Sequence, residues 1–246
     1  TAFTAMKIHV LTSKSEINKE RIDDKVVVVL DILFATTSIV TAIENGCKEV
    51  LVTRSSEEAL RISKEEKYSN YVLSGELNAD TLEGFSHPTP LALLEQNLKN
   101  NGLIYCTTNG TVALHDSKAA QHVYAGSLLN GSALTKHIVE KHKNSTVVVV
   151  CSGSKDQFNL EDFYGAGQIV DLFKKHNPLA NLTDSALAAK HLYNTLDTID
   201  ALKTSRVGQM MMQRSLDKEI IFTANENTMS AIPKLFKNGS LRDDKC

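Results

Sequence analysis

Short apolar, β-branched runs recur along the chain, and between them apolar positions fall at helical spacing. Residues 6–12 (MKIHVLT), 25–32 (KVVVVLDI), 49–53 (EVLVT), 71–76 (YVLSGE), 103–108 (LIYCTT), 122–126 (HVYAG), 146–152 (TVVVVCS) and 219–224 (EIIFTA) read as strands. Helical patterns cover 36–45, stopped by Gly46, and 55–66, capped by Ser55 or Ser56. Others cover 88–100, 129–141, 160–175, 184–193 and 205–214. The runs 26–30 and 147–150 are apolar at every position, as suits strands covered on both faces. The alternation predicts an α/β protein, a three-layer α/β/α sandwich around a mostly parallel (mixed) sheet. The least regular stretch, 77–90, is expected to form an active-site loop. Gly165-Ala166-Gly167 lies inside a helical pattern and is expected to be a packing patch of small residues.

The chain has 246 residues, 42% hydrophobic and 23% charged, the balance of an ordinary globular protein. Residues 6–246 are expected to form one domain, and Thr1–Ala5 a remnant of cloning outside it. A net charge of −2 argues against nucleic-acid binding. The longest apolar stretch, 26–35, is interrupted by Asp31 and is too short to span a bilayer. The 4 cysteines, Cys47, Cys106, Cys151 and Cys246, make no CxxC pair, and no signal peptide is read, so a cytoplasmic protein with reduced thiols is expected.

In open α/β sheets ligands bind beyond the carboxyl ends of the strands. Four strands here end on chemically distinctive residues: Asp31 with Ala35-Thr36-Thr37-Ser38, Ser74-Gly75-Glu76, Thr107-Thr108-Asn109-Gly110-Thr111, and Ser152-Gly153-Ser154 with Asn159-Leu160-Glu161-Asp162. Singly, each has a plain structural role: Asp31 as a helix cap, Asn109-Gly110 as a turn, Glu161-Asp162 as an acidic first helical turn. Together they set hard oxygen ligands suited to magnesium beside hydroxyl- and glycine-rich anion loops. That combination points to metal-assisted chemistry on a phosphate ester. A Walker loop is absent, and Leu33 excludes a DxD motif at Asp31. Gln157 and Val112 stand where a Cys-x5-Arg loop starting at Cys151 or Cys106 needs Arg. The 8 histidines form no HxH or HExxH pattern, against a zinc hydrolase, and His115-Asp116 reads as surface polarity.

VVVVLDILFATTSIVTAIENG (26–46), Gly75-Glu76, Glu83-Gly84-Phe85, CTTNGTVAL (106–114) and CSGSKDQFNLEDFYGAGQIV (151–170) resemble the 2-phosphosulfolactate phosphatases, and SRVGQMM (205–211) and AIPKLFKNG (231–239) continue the match. The resemblance covers nearly the whole chain. It implies a layered α/β fold and magnesium-dependent hydrolysis of 2-phosphosulfolactate to sulfolactate and phosphate, a step toward coenzyme M in methanogens. Members also occur in bacteria that lack that cofactor. Phe34, Leu77 and Gln157 stand where the family pattern carries Arg, which puts the native substrate in question more than the reaction, and Lys155 and Arg206 are the expected replacements.

The resulting expectation is Mg²⁺ held by carboxylates drawn from Asp31, Glu76, Glu161 and Asp162, with Asp31, Glu76 and Glu161 catalytic. Thr36, Thr37, Thr107, Thr108, Asn109, Gly110, Thr111 and Arg206 bind a small anionic phosphorylated acid, and Ser152 and Gly153 add N–H donors. Water is the expected nucleophile, not Cys151, and a homodimer is kept open. A non-catalytic sensor of an anionic metabolite is the alternative. A nicotinamide oxidoreductase lacks the third glycine of its fingerprint.

Overall fold

A computed structural model describes residues 5–245, so the expected N-terminal remnant, except Ala5, and Cys246 lie outside the described residues. The strands are β1 (Lys7–Leu11), β2 (Val26–Leu30), β3 (Glu49–Thr53), β4 (Val72–Leu77), β5 (Asp80–Thr81), β6 (Gly102–Cys106), β7 (His122–Gly126), β8 (Thr146–Cys151), β9 (Asn181–Leu182), β10 (Pro233–Leu235) and β11 (Ser240–Asp243). The helices are α1 (Lys19–Ile22), α2 (Ala35–Glu44), α3 (Ser56–Ser63), α4 (Pro90–Leu94), α5 (Gly110–Asp116), α6 (Gly131–Lys141), α7 (Leu160–His176), α8 (Asp184–Thr195), α9 (Thr198–Thr204), α10 (Arg206–Gln213) and α11 (Asp217–Thr223).

These strands form one sheet in the order β5-β4-β6-β3-β11-β10-β7-β2-β8-β1-β9. Two parallel blocks, β4-β6-β3 and β7-β2-β8-β1-β9, are joined through antiparallel pairings of the hairpin β10–β11. In β2, side chains alternate between two cores, as the period of a strand requires. Val26, Val28 and Leu30 join the cluster that includes Leu134 of α6, Ile169 of α7 and Ala189 of α8. Val27 and Val29 join a second cluster with Ile39 and Ala42 of α2. Helices therefore cover both faces, which gives the α/β/α layering and explains why the run carries no polar residue. Gly165 and Gly167 do let α7 pack closely: a Cβ on Gly167 would lie 2.1 Å from the Ala189 carbonyl oxygen, and one on Gly165 2.6 Å from Ile32 Cδ1.

Three expectations need correction. EIIFTA belongs to α11, not to a strand, because it buries Glu219, Ile220 and Thr223 on one helical face and leaves Ile221 48% exposed. Short β-branched runs carry no period of their own to separate the two cases. The helix expected over 88–100 shrinks to Pro90–Leu94. The hairpin β10–β11, whose strands are three and four residues long, has no counterpart among the expected strands.

Candidate active site

The loops after β2, β4, β6 and β8 meet at a cleft of about 220 Å³, and one face of α10, from Arg206 to Met211, closes one side. Asp31 follows β2 and is half-buried at this cleft. One hydroxyl, Thr36 Oγ1, fixes it by accepting the Asp31 N–H at 2.8 Å and donating to the Asp31 carbonyl at 3.1 Å. Gly110 opens α5 against it: a Cβ there would lie 2.7 Å from Asp31 Oδ2 and 2.4 Å from the Ala35 Cβ. Burial first, then the charges of Glu76 and Glu161, push the Asp31 carboxyl up from 3.8 to about 7.

The other acids divide by what their oxygens already do. Glu76 Oε1 accepts the Thr108 N–H at 2.6 Å, and Oε2 accepts the Ala79 N–H at 2.6 Å and the Thr108 hydroxyl at 3.0 Å. Glu76 thus pins the turn after β4 to the loop after β6. Asp162, buried in the first turn of α7, accepts the Ile32 N–H at 2.9 Å with Oδ1 and the Gly153 N–H at 3.0 Å with Oδ2. It ties the loop after β2 to the loop after β8. Glu161 beside it is buried too, and its Oε2 has no hydrogen-bond partner. Burial raises the Glu161 carboxyl, opposed by the Ser205 hydroxyl and the Arg206 charge. Burial and the charges of Glu161 and Asp31 raise Asp162 against its two N–H bonds.

Of the expected substrate-binding residues, Thr107, Thr108, Asn109 and Arg206 line the cleft. The Arg206 Nη2 donates to Asn159 Oδ1 at 3.1 Å. The expectation for the rest is corrected, because their polar groups serve the fold. Thr37 and Thr111 donate to the carbonyls of Ile32 and Thr107, each at 2.8 Å, and Thr36 braces Asp31. Gly110 lies behind the cleft wall as a point of close approach. The Ser152 N–H donates to the Leu30 carbonyl at 2.8 Å and the Gly153 N–H to Asp162, so neither is free for an anion. Phe34 stands on the cleft wall, whereas Leu77 and Gln157 are exposed outside it.

The irregular stretch after β4 does line the cleft, through Asn78, Ala79, His87, Pro88 and Thr89. Sequence reasoning missed His87, Met210, Arg214 and Lys14. Lys14 Nζ donates to Asn109 Oδ1 at 3.2 Å and stands 3.5 Å from Asp156. Its signal was available: β1 ends beside β8, Leu11 pairing with Val150, so the loop after β1 reaches the same rim. Lys155, on the lining, sits in a tight turn where it and Asp156 both take positive φ, 50° and 58°.

Cys151 is completely buried and outside the cleft lining, and burial pushes its thiol well above the usual range. A thiol held neutral and shielded is no nucleophile. Cys151→Ala is therefore expected to keep most of the phosphate release, with no phosphocysteine detected by mass spectrometry. A trapped phosphocysteine would overturn this.

No helix among the described residues is long and apolar enough to cross a membrane. The family model described as 2-phosphosulpholactate phosphatase matches residues 11–238. A relative from Clostridium tetani, named a probable 2-phosphosulfolactate phosphatase, is 34% identical over 238 residues, covering 96% of this chain and 100% of its own. Relatives of the same name from Clostridium novyi and Symbiobacterium thermophilum are each 32% identical, covering 93% and 90% of this chain and 97% and 95% of their own.

Proposed function

The chain belongs to the 2-phosphosulfolactate phosphatase family of phosphoric monoester hydrolases, and from that premise we propose that it hydrolyses the ester of a small 2-phosphorylated acid with the help of magnesium. The observation that carries the metal is Glu161 Oε2, a buried carboxylate oxygen with no partner, close enough to Asp31 for the two charges to raise the Asp31 carboxyl. Repulsion of that kind is offset by a divalent cation. Carboxylate oxygens are the donors magnesium prefers.

No three His, Cys, Asp or Glu among the described residues close tightly enough to hold an ion unaided. Magnesium commonly takes only one or two carboxylates and fills its shell with water and phosphate oxygens, so the donor set fits. Asp31 and Glu161 would hold it, since Glu76 and Asp162 already bind N–H groups. When bound, the ion polarises the phosphoryl oxygens and offsets the charge that develops on them.

The remaining work falls to the chain. Thr107 and Asn109 present a hydroxyl and an amide to an anionic group of the substrate, Thr108 keeps its hydroxyl on Glu76, and Arg206 and Lys155 supply positive charge. Asp31 orients the attacking water from the cleft side. Glu76 holds the loops after β4 and β6 together, and Asp162 those after β2 and β8. An anion sensor would gain nothing from acids set beside its ligand, which favours catalysis. The buried free thiols of Cys47, Cys106 and Cys151 fit a cytoplasmic setting.

Phosphate release from 2-phosphosulfolactate and 2-phospholactate tests this reading. Chelator is expected to abolish release and added Mg²⁺ to restore it. Full turnover in chelator removes the metal from the proposal, and no release from either ester with Mg²⁺ removes the phosphatase.

A further inference from the structure

Asn109 lines the cleft just ahead of α5, yet its side chain does not cap that helix. Asn in such a place ordinarily accepts an N–H from the first helical turn. Here its oxygen is taken by a lysine instead: Lys14 Nζ donates to Asn109 Oδ1 at 3.2 Å. An ammonium group can only donate, so the amide end that faces it must be the oxygen. The Nδ2 end is the one left over, and among the described residues it makes no hydrogen bond within the chain. Lys14 is itself firmly held. Its side chain is only 10% exposed. Nζ also donates to the Ser152 carbonyl at 3.4 Å and stands 3.5 Å from Asp156, so three oxygens match its three protons. The loop that carries it is tied down by Glu16 Oε1, which accepts the N–H groups of Thr12 at 2.7 Å and Ser13 at 3.0 Å. Lys14 does not line the cleft, but its charge reaches it and opposes the rise of the Asp31 carboxyl.

We infer that Lys14 is a positioning residue: by holding Asn109 Oδ1 it sets the amide with its Nδ2 group toward the cleft, as a donor to the anionic group of the substrate. This rests on the phosphatase reading and adds the loop after β1 to that site. An unheld amide can turn either end to the cleft, and an anion that meets Oδ1 is repelled. With Oδ1 engaged, the donor is in place before the substrate arrives, and binding has no flip to oppose it. A cation on the oxygen also polarises the amide, which makes its N–H a stronger donor. Pairing with Asp156 is a weak reason to bury an ammonium group here, because that carboxylate is 67% exposed. Holding Asn109 gives the lysine a use that the ion pair does not.

The test is a double-mutant cycle on the purified full chain with Mg²⁺, reading kcat and KM from phosphate release on 2-phosphosulfolactate and 2-phospholactate, with melting curves to show that each variant folds. Lys14→Met is expected to lower kcat/KM about tenfold, chiefly through KM, and less than about threefold where Asn109 is already Ala. Losses as large in both backgrounds, or a fall in kcat with KM unchanged, overturn the inference and leave the phosphatase intact. Asn109→Asp keeps an acceptor for Lys14 but replaces the donor by a second carboxylate oxygen. It is expected to lose at least as much as Asn109→Ala, roughly 10–100-fold. Wild-type kcat/KM in Asn109→Asp would reduce Asn109 to an acceptor for Lys14 and overturn the inference, even if Lys14→Met does not fold. If the wild-type chain hydrolyses neither ester, the phosphatase reading falls, and calorimetry with 2-phosphosulfolactate decides the positioning role by itself. Weaker binding in Asn109→Asp and Lys14→Met supports it. Equal Kd in wild type and Asn109→Asp, or no binding at all, overturns it.

Discussion

Asp31→Asn is expected to lose phosphate release by at least ~10²-fold while making the metal-free protein harder to unfold, the two changes moving in opposite directions. The loss of activity comes from position: Asp31 lies at the cleft where the loops after β2, β4 and β6 meet. The gain in stability comes from charge. The Asp31 carboxyl is pushed up from 3.8 to about 7, so the folded protein holds a proton in that window which the unfolded chain has released. Stability without metal therefore falls as pH rises from about 4 through about 7, then levels off. Buried Glu161 and Asp162, both raised, add the same sign. The asparagine variant carries no such penalty, and each kcal/mol recovered raises Tm by roughly 2–4 °C in a chain of this size. Melting curves at pH 5 and pH 8 in chelator check it: wild type and variant should differ more at pH 8. Wild-type turnover in the variant, or a lower Tm at pH 8, would return Asp31 to the role of a helix cap.

Asp162→Ala is expected to behave in the opposite way, although the two acids are neighbours. Asp162 is the shared acceptor for the Ile32 and Gly153 N–H groups. Removing it strands two buried donors, each costing about 1–3 kcal/mol. The sum corresponds to a Tm lower by roughly 5–20 °C. Activity should fall with it, because the freed loops carry Asp31 on one side and Ser154 and Lys155 on the other. Thermal melts of the variant at pH 7 decide the matter. A Tm within about 2 °C of wild type would mean that the two loops are held by other contacts.

The two variants show where the sequence is readable. Glu161 and Asp162 stand side by side at the start of a helix, after a strand, and nothing in their identities separates a carboxylate with a free oxygen from one spent on two backbone donors. That difference belongs to Ile32, 130 positions away in the chain. Thr107 and Thr111 show the same limit: both are hydroxyls in one anion-type loop, but Thr111 is turned back on the Thr107 carbonyl by the helix that starts at Gly110. By contrast the parallel strands were legible because β2 and β8 bury every one of their central residues, leaving unbroken apolar runs. Strand ends then located Asp31, Glu76 and Thr107 without any knowledge of the cleft. Lys14 and Met210 escaped for different reasons. Lys14 sits after β1 in a stretch, TSKSE, with no glycine to mark it as an anion loop, and Met210 sits on a short helix whose apolar face looks like ordinary core.

The hairpin β10–β11 sits in the middle of the sheet but comes from the end of the described chain, pairing Ser240 with Leu51 and Lys234 with Tyr124. During synthesis, β3 and β7 are made long before the strands that cover them. Each remains an open edge until residues 233–243 leave the ribosome, and open edges are templates for pairing with other chains. Folding must also wait for contacts that close very long loops, which slows the final step. Ribosome-bound chains that stop short of Pro233 are thus the form of this protein most exposed to aggregation and most in need of a chaperone.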